Sequence, residues 1–232
     1  EKLQEALNYL QSGQFNSAEN IYLSCINNGV INNVIYANLG AIHLIRKDWK
    51  LAILYLKKAL LIKKDDSDAL NNLAIAYKEL KDYPKALQFA LSSVRIKNLN
   101  PNYHQTLALI YLDYGDIINS INSLNKVIDL EPNSFKAYSF LGDAFRVQKN
   151  YILAAENYKK ALLINSSHLD SIIGFGNLYI DQCQFQKAIN YFERVINIQK
   201  NNHKALHGLA ITYGLMGAYE KSKLYLKKVL LI

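Results

Sequence analysis

One period governs this chain. Written in rows of 34 residues, with rows beginning at Asn33, Ser67, Pro101, Phe135, Leu169 and His203 and a partial row before Asn33, the sequence falls into register with itself. The seven rows are 1–32, 33–66, 67–100, 101–134, 135–168, 169–202 and 203–232. The eighth column reads Ala6, Gly40, Ala74, Ala108, Gly142, Gly176 and Ala210. The twentieth reads Ala18, Ala52, Ala86, Ser120, Ala154, Ala188 and Ser222. Every one of these residues is small. The eleventh column is mostly aromatic: Tyr9, His43, Tyr77, Tyr111, Phe145, Tyr179 and Tyr213. So is the seventeenth: Phe15, Trp49, Tyr83, Ile117, Tyr151, Phe185 and Tyr219. A row this long holds one small supersecondary unit, which buries its apolar face only against its neighbours.

Within a row, apolar residues recur at steps of three and four, the spacing of an amphipathic helix. Two helices per row are predicted, for example over 38–47 and 50–62. Antiparallel helices approach closely only where side chains are small, which accounts for columns eight and twenty; the aromatics fill the space beside that contact. Gly13, Gly115 and Gly217 fall in the turn between the helices, where a left-handed backbone costs glycine little. Helix caps are expected at the row junctions: Asp66 or Ser67, Asn100 before Pro101, and Asn133 or Ser134. With only 3 prolines and 10 glycines, a strand-and-turn architecture is disfavoured.

The pattern resembles the tetratricopeptide repeat (TPR) family over essentially the whole chain. Asn38-Leu39-Gly40, Asn72-Leu73-Ala74 and Leu130-Glu131-Pro132-Asn133 are similar to its consensus. Departures are the absence of tryptophan in column four, where Tyr36, Leu70, His104 and Tyr138 stand, and a single late proline, Pro132. The resemblance implies an all-α TPR solenoid: a single domain of about seven helix-turn-helix repeats in a right-handed superhelix, with first helices lining a concave groove.

The family's groove positions are columns two, five, nine and twelve. Carried onto this sequence, they give an apolar set, Leu3, Leu7, Leu10, Val34, Ala37, Ala41, Leu44, Ile75, Leu109 and Leu112, and a polar set, Asn71, Gln105, Ser139, Asp143, Arg146, Asn177 and His207. An exposed apolar stripe of this kind marks a binding surface for a peptide or partner helix. The alternative for Leu3, Leu7 and Leu10 is packing against sequence upstream of Glu1. Two family specialities do not fit. The co-chaperone carboxylate clamp needs basic residues in columns two and six of one repeat, but Lys136 is followed by Phe140. An asparagine ladder in column six is limited to Asn38 and Asn72, and is broken by Thr106, Phe140, Gly174 and Gly208.

Other candidate chemistry is thin. Asp66-Ser67-Asp68 resembles a metal-holding carboxylate pair but lies where caps are expected. Gly174-Phe175-Gly176 lies inside a first helix without a preceding strand, so it is not a phosphate loop. His203 and His207 are one turn apart but lack a third ligand. Cys25 shares a small column with Ala59 and Ala161 and reads as core; Cys183 reads as a turn residue with no activating neighbour. Asn165-Ser166-Ser167 is a glycosylation triplet only if the chain is secreted. Lys57-Lys58, Lys159-Lys160 and Lys227-Lys228 occupy columns twenty-five and twenty-six and form a basic outward ridge, read as a solvated face. Nucleic acid or anionic membrane is the secondary reading for that ridge. No catalytic residues, metal or cofactor are expected, and the partner is a protein or peptide.

Two unpaired cysteines point to a reducing, cytoplasmic setting, and no apolar run approaches a membrane span. The apolar end Val229-Leu230-Leu231-Ile232 carries no polar cap, so the chain is expected to be part of a longer one, or to associate through its terminal repeats. One extension would make it the substrate-recruiting arm of a larger transferase of the glycosyltransferase kind.

Overall fold

A computed structural model describes residues 2–232. The described residues form fourteen helices and no strand. In order they are α1 (Lys2–Gln11), α2 (Phe15–Asn27), α3 (Asn33–Ile45), α4 (Trp49–Ile62), α5 (Ser67–Glu79), α6 (Tyr83–Ile96), α7 (Pro101–Tyr114), α8 (Ile117–Leu130), α9 (Phe135–Val147), α10 (Tyr151–Ile164), α11 (Leu169–Asp181), α12 (Phe185–Ile198), α13 (His203–Leu215) and α14 (Tyr219–Leu230). From α3 onward, every first helix opens on the first column, and every second helix opens on the seventeenth.

The first helix of the second repeat begins five residues before the 38–47 expectation, and ends at Ile45. The early start comes from Asn32, whose side chain accepts from the Val34 amide. The early stop comes from the turn. Lys47 adopts a left-handed φ of 60°, its amide bonds to the Leu44 carbonyl, and the Asp48 amide reaches the His43 carbonyl. The same left-handed column holds Gly13, Gly115 and Gly217, as expected, but also Lys81, Lys149 and Cys183. A left-handed non-glycine residue costs roughly 1–2 kcal/mol, against about 0.5–1 kcal/mol of extra chain entropy for glycine. Lys81→Gly is therefore expected to raise stability by about 0.5–1 kcal/mol, measurable as a higher thermal midpoint by circular dichroism.

Side-chain caps stand at several junctions, but the expected Ser134 makes no side-chain bond to α9. Asp66 accepts from Ala69 and Asn100 from Asn102; Asn202 accepts from Ala205. Asp48, Asp82 and Asn150 cap second helices in the same way.

The helices group into two compact units, Glu1–Asp116 and Ile117–Ile232. In the first, α1 with α2, α3 with α4 and α5 with α6 form antiparallel pairs, and the pairs stack in sequence order through α2 on α3, α4 on α5 and α6 on α7. In the second, α9 with α10, α11 with α12 and α13 with α14 repeat the arrangement. First helices also touch first helices, α3 to α5 to α7 in one unit and α9 to α11 to α13 in the other. This is the α-solenoid arrangement that the columns imply.

Columns eight and twenty are buried throughout, apart from a half-buried Ser222. Column twenty-four supplies the residue that locks successive pairs. Tyr158 packs between Gly142 of its own repeat and Gly174 of the next; Phe192 packs between Gly176 and Gly208 in the same way. Tyr22 accepts a hydrogen bond from Asn38 of the following helix at 2.8 Å. Beside these joints, column eleven stacks on column twenty-three: His43 on Tyr55, Tyr77 on Phe89 and Tyr213 on Tyr225, with centroids 5.4–5.6 Å apart.

Candidate functional site

In the first unit, the expected apolar groove residues fall on one series of first helices. Val34 is exposed, and Ala41, Leu44, Ile75, Leu109 and Leu112 are half-buried on α3, α5 and α7. Gln105 is half-buried beside them. Leu7 and Leu10 are half-buried on α1, and Leu3 and Leu10 pack onto the core made by Ala18, Tyr22, Leu39 and Ile42.

Asn71 and Ser139 are placed differently from the expectation. Both are buried on first helices that pack against other first helices, whereas Ala37 and Gln105 in the same column are half-buried. Asn71 Oδ1 and Ser139 Oγ have no hydrogen-bond partner, and neither is open to a ligand.

Among the groove-column residues that the sequence expectation omitted, one is ionic and partly buried. Lys78 occupies column twelve of α5, between the positions of Leu44 and Leu112. Its Nζ lies 2.7 Å from Glu79 and 3.6 Å from Asp113. Burial pulls its pKa down, but the hydrogen bond and charge of Glu79, helped by Asp113, outweigh that and raise it. The apolar wall thus carries a fixed ionic cluster. Reading column twelve down every repeat would have found it.

In the second unit two members of the polar set, Asp143 and Arg146, have hydrogen-bond partners. Tyr158 donates to Asp143 Oδ1 at 2.7 Å, and Arg146 Nη1 donates to Asp181 Oδ2 at 2.8 Å. Burial raises the Asp143 pKa, against the opposing influence of the Tyr158 hydrogen bond and the Arg146 charge. Burial likewise raises Tyr158, with the Asp143 charge adding to it. Asp170 and Lys204 pair at 2.7 Å. Asn177 and His207 come together in a hollow of about 310 Å³, with Ile173, His203, Lys204, Gly208, Ile211 and Val229 completing its lining. A larger hollow of about 650 Å³, lined by Ile196, Leu206, Tyr225 and Leu231, contains none of the expected site residues.

The remaining candidates resolve into structural roles. Asp66 caps α5 and also accepts from Asn33 at 2.9 Å. Ser67 and Asp68 lie 3.0 and 2.6 Å from the Tyr103 hydroxyl, whose pKa is pushed up to about 12, chiefly by burial and then by Asp68. Cys25 is buried and Cys183 exposed. His203 and His207 line one hollow, and among the described residues no three His, Cys, Asp or Glu side chains converge on a metal-sized site. Several ridge lysines are exposed with their ammonium groups over a ring: Lys58 over Tyr36 and Tyr55, Lys57 over Tyr77, and Lys160 over Tyr138. Among the described residues, no helix is long and apolar enough to cross a membrane.

Comparison with known proteins gives a consistent picture. Family models described as tetratricopeptide repeat match residues 43–110, and residues 101–134 and 169–202, together more than half of the chain. TPR repeat-containing protein MJ1428 of Methanocaldococcus jannaschii is 26% identical, over 86% of this chain and 44% of its own length. The BBSome complex member BBS4 homolog of Drosophila melanogaster is 20% identical, over 72% of this chain and 35% of its own. The chain therefore spans less than half the length of these curated relatives. Among solved structures, a tetratricopeptide repeat protein from Parabacteroides merdae superposes with a TM-score of 0.86 at 16% identity, covering 98% of this chain and 90% of that one. The APC/C hetero-tetramer Cut9-Hcn1 gives 0.79 at 15% identity, covering 97% and 45%.

Proposed function

This chain belongs to the tetratricopeptide repeat family, and on that premise we propose that it is a protein-interaction scaffold holding a peptide or partner helix against the wall of α3, α5 and α7. The observation that carries this reading is the set of aliphatic side chains left partly open in matching columns of three adjacent helices: Val34, Ala41, Leu44, Ile75, Leu109 and Leu112. Partly exposed apolar surface, organised by the fold rather than scattered, is what a ligand's apolar side chains bury. The Lys78–Glu79–Asp113 cluster sets a polar demand in the middle of that wall and favours a ligand that offers hydrogen-bonding groups there. Two of the similar proteins are described as parts of multi-protein assemblies, a BBSome member and the Cut9-Hcn1 tetramer, in keeping with a scaffold.

The test uses Leu44→Glu with Leu112→Glu. Column twelve already holds Lys78 and Arg146 elsewhere, so the fold accommodates a charge at that place. Capture of the wild-type partner is expected to weaken more than about a hundredfold, the scale of two lost apolar anchors, with the helical circular dichroism unchanged. Undiminished capture by the double variant would exclude this wall as the binding surface.

A further inference from the structure

The outward faces of the second helices are not alike. Column twenty-two holds Asn20, Gln88, Asn122, Glu156 and Asn190, and column twenty-nine holds Asn27, Arg95, Asp129 and Asn197. These are the polar residues expected on a solvent face. On α10 a single leucine, Leu163, stands in column twenty-nine, opposite Glu156. On α4 both columns are apolar: they hold Leu54 and Leu61, which are 48% and 81% exposed. Lys57 and Lys58 lie between them, so the face reads Leu-x-x-Lys-Lys-x-x-Leu. At steps of three, four and seven residues these four side chains share one side of a helix, with the leucines about 10 Å apart.

Charge reinforces the pattern. From Trp49 to Lys64 there are five lysines, Lys50, Lys57, Lys58, Lys63 and Lys64, and no carboxylate. The helical turn sets Lys50 and Lys57 on one flank of the leucine pair and Lys58 on the other. Tyr77 lies under the Lys57 ammonium, and Tyr36 and Tyr55 lie under that of Lys58, which braces both flanks. In the second unit the same pattern recurs at the end of the chain: Leu224 on α14 and Leu231 just beyond it, 52% and 86% exposed, bracket Lys227 and Lys228.

We propose that the outward face of α4 is a docking surface for an anionic lipid membrane, with Leu54 and Leu61 inserting at the level of the headgroups and the flanking lysines engaging lipid phosphates and carboxylates. Exposed aliphatic residues framed by lysines on a helix that lies along its support are the chemistry of an interfacial helix. A nucleic acid would leave the central leucines unused, since its backbone rewards the lysines alone. The surface is a ridge rather than a groove, which suits a broad, deformable anionic support. It belongs to a second helix, so it leaves the wall of α3, α5 and α7 free and does not depend on that wall's function.

The experiment is flotation of the purified chain with phosphatidylcholine vesicles, with and without about one-third phosphatidylserine. Binding is expected only with the anionic lipid. Leu54→Gln with Leu61→Asn, residue types that other repeats carry in these columns, should cut the bound fraction about tenfold without lowering the thermal midpoint. Lys57→Gln with Lys58→Gln should do the same. No flotation with anionic vesicles overturns the proposal. So does flotation that survives the leucine substitutions, which would mean general basicity or binding through α14. A leucine-dependent change of oligomeric mass in place of flotation would assign the face to a second copy and overturn it too.

Discussion

Gly208→Ala is expected to destabilise the second unit by about 2 kcal/mol, although alanine favours a helix by about 1 kcal/mol over glycine. The added methyl would come within 2.5 Å of the Phe192 ring. That ring has nowhere to go: Phe192 is fully buried, and its other side meets Gly176 so closely that a methyl there would stand 2.6 Å away. Accommodation must come from shifting α13 away from α12, and overpacking of this sort costs roughly 1–3 kcal/mol or more. The partner substitution tests the cause. Phe192→Leu alone should cost about 1 kcal/mol through the lost volume. Leucine already fills this column as fully buried Leu56, where the following column-six residue is Asn72 and a Cβ is accommodated. The double variant should therefore be more stable than Gly208→Ala alone, with a coupling of about 1–2 kcal/mol in urea titrations. Additive costs would show that the ring and the glycine do not share one space.

The same joint shows how far the sequence could be read. The period placed every first helix from α3 onward, because a fixed interval of small residues forces the helix pairs into one register. Gly176 was legible as a packing residue since it stands in a uniformly small column. Gly174 and Gly208 were legible as gaps in an asparagine ladder, and Gly174 also within Gly174-Phe175-Gly176, but neither as a packing residue. Their role depends on an aromatic residue sixteen positions earlier, in a column that varies from Ala90 to Tyr158. Neither column is conspicuous alone; Tyr158 and Phe192 are each matched by a glycine in the next repeat, whereas Tyr22 meets Asn38, a compensation that composition by column cannot reveal. Lys47, Lys81, Lys149 and Cys183 carry no mark of a left-handed backbone, and only their alignment with Gly13, Gly115 and Gly217 discloses it. At the candidate site, the apolar side chains of columns nine and twelve on α3, α5 and α7 are half-buried. In column five Asn71 and Ser139 are buried while Ala37 and Gln105 are half-buried, a difference that the identity of none of the four announces.

Tyr158→Phe should remove about 1–3 kcal/mol of stability at neutral pH, the cost of leaving a half-buried carboxylate without its donor. The phenol is fully buried and donates to Asp143 at 2.7 Å, while the ring, which the substitution keeps, continues to pack on Gly142 and Gly174. The loss should depend on pH. Burial raises the Asp143 pKa in the folded state above its unfolded value near about 3.9. Between those two values the folded chain retains a proton that the unfolded chain has released, so stability falls as pH rises from about 4 through the folded pKa and levels off above it. Asp143→Asn removes this ionisation while keeping an oxygen for the Tyr158 hydroxyl. It should therefore match the wild type near pH 4 and exceed it in stability at neutral pH, and the penalty of Tyr158→Phe should shrink in its background. Melting curves of the four proteins across that range decide the matter: a wild-type slope unchanged by Asp143→Asn would place the titrating group elsewhere, and an equal Tyr158→Phe penalty in both backgrounds would mean that the hydroxyl does not serve the carboxylate.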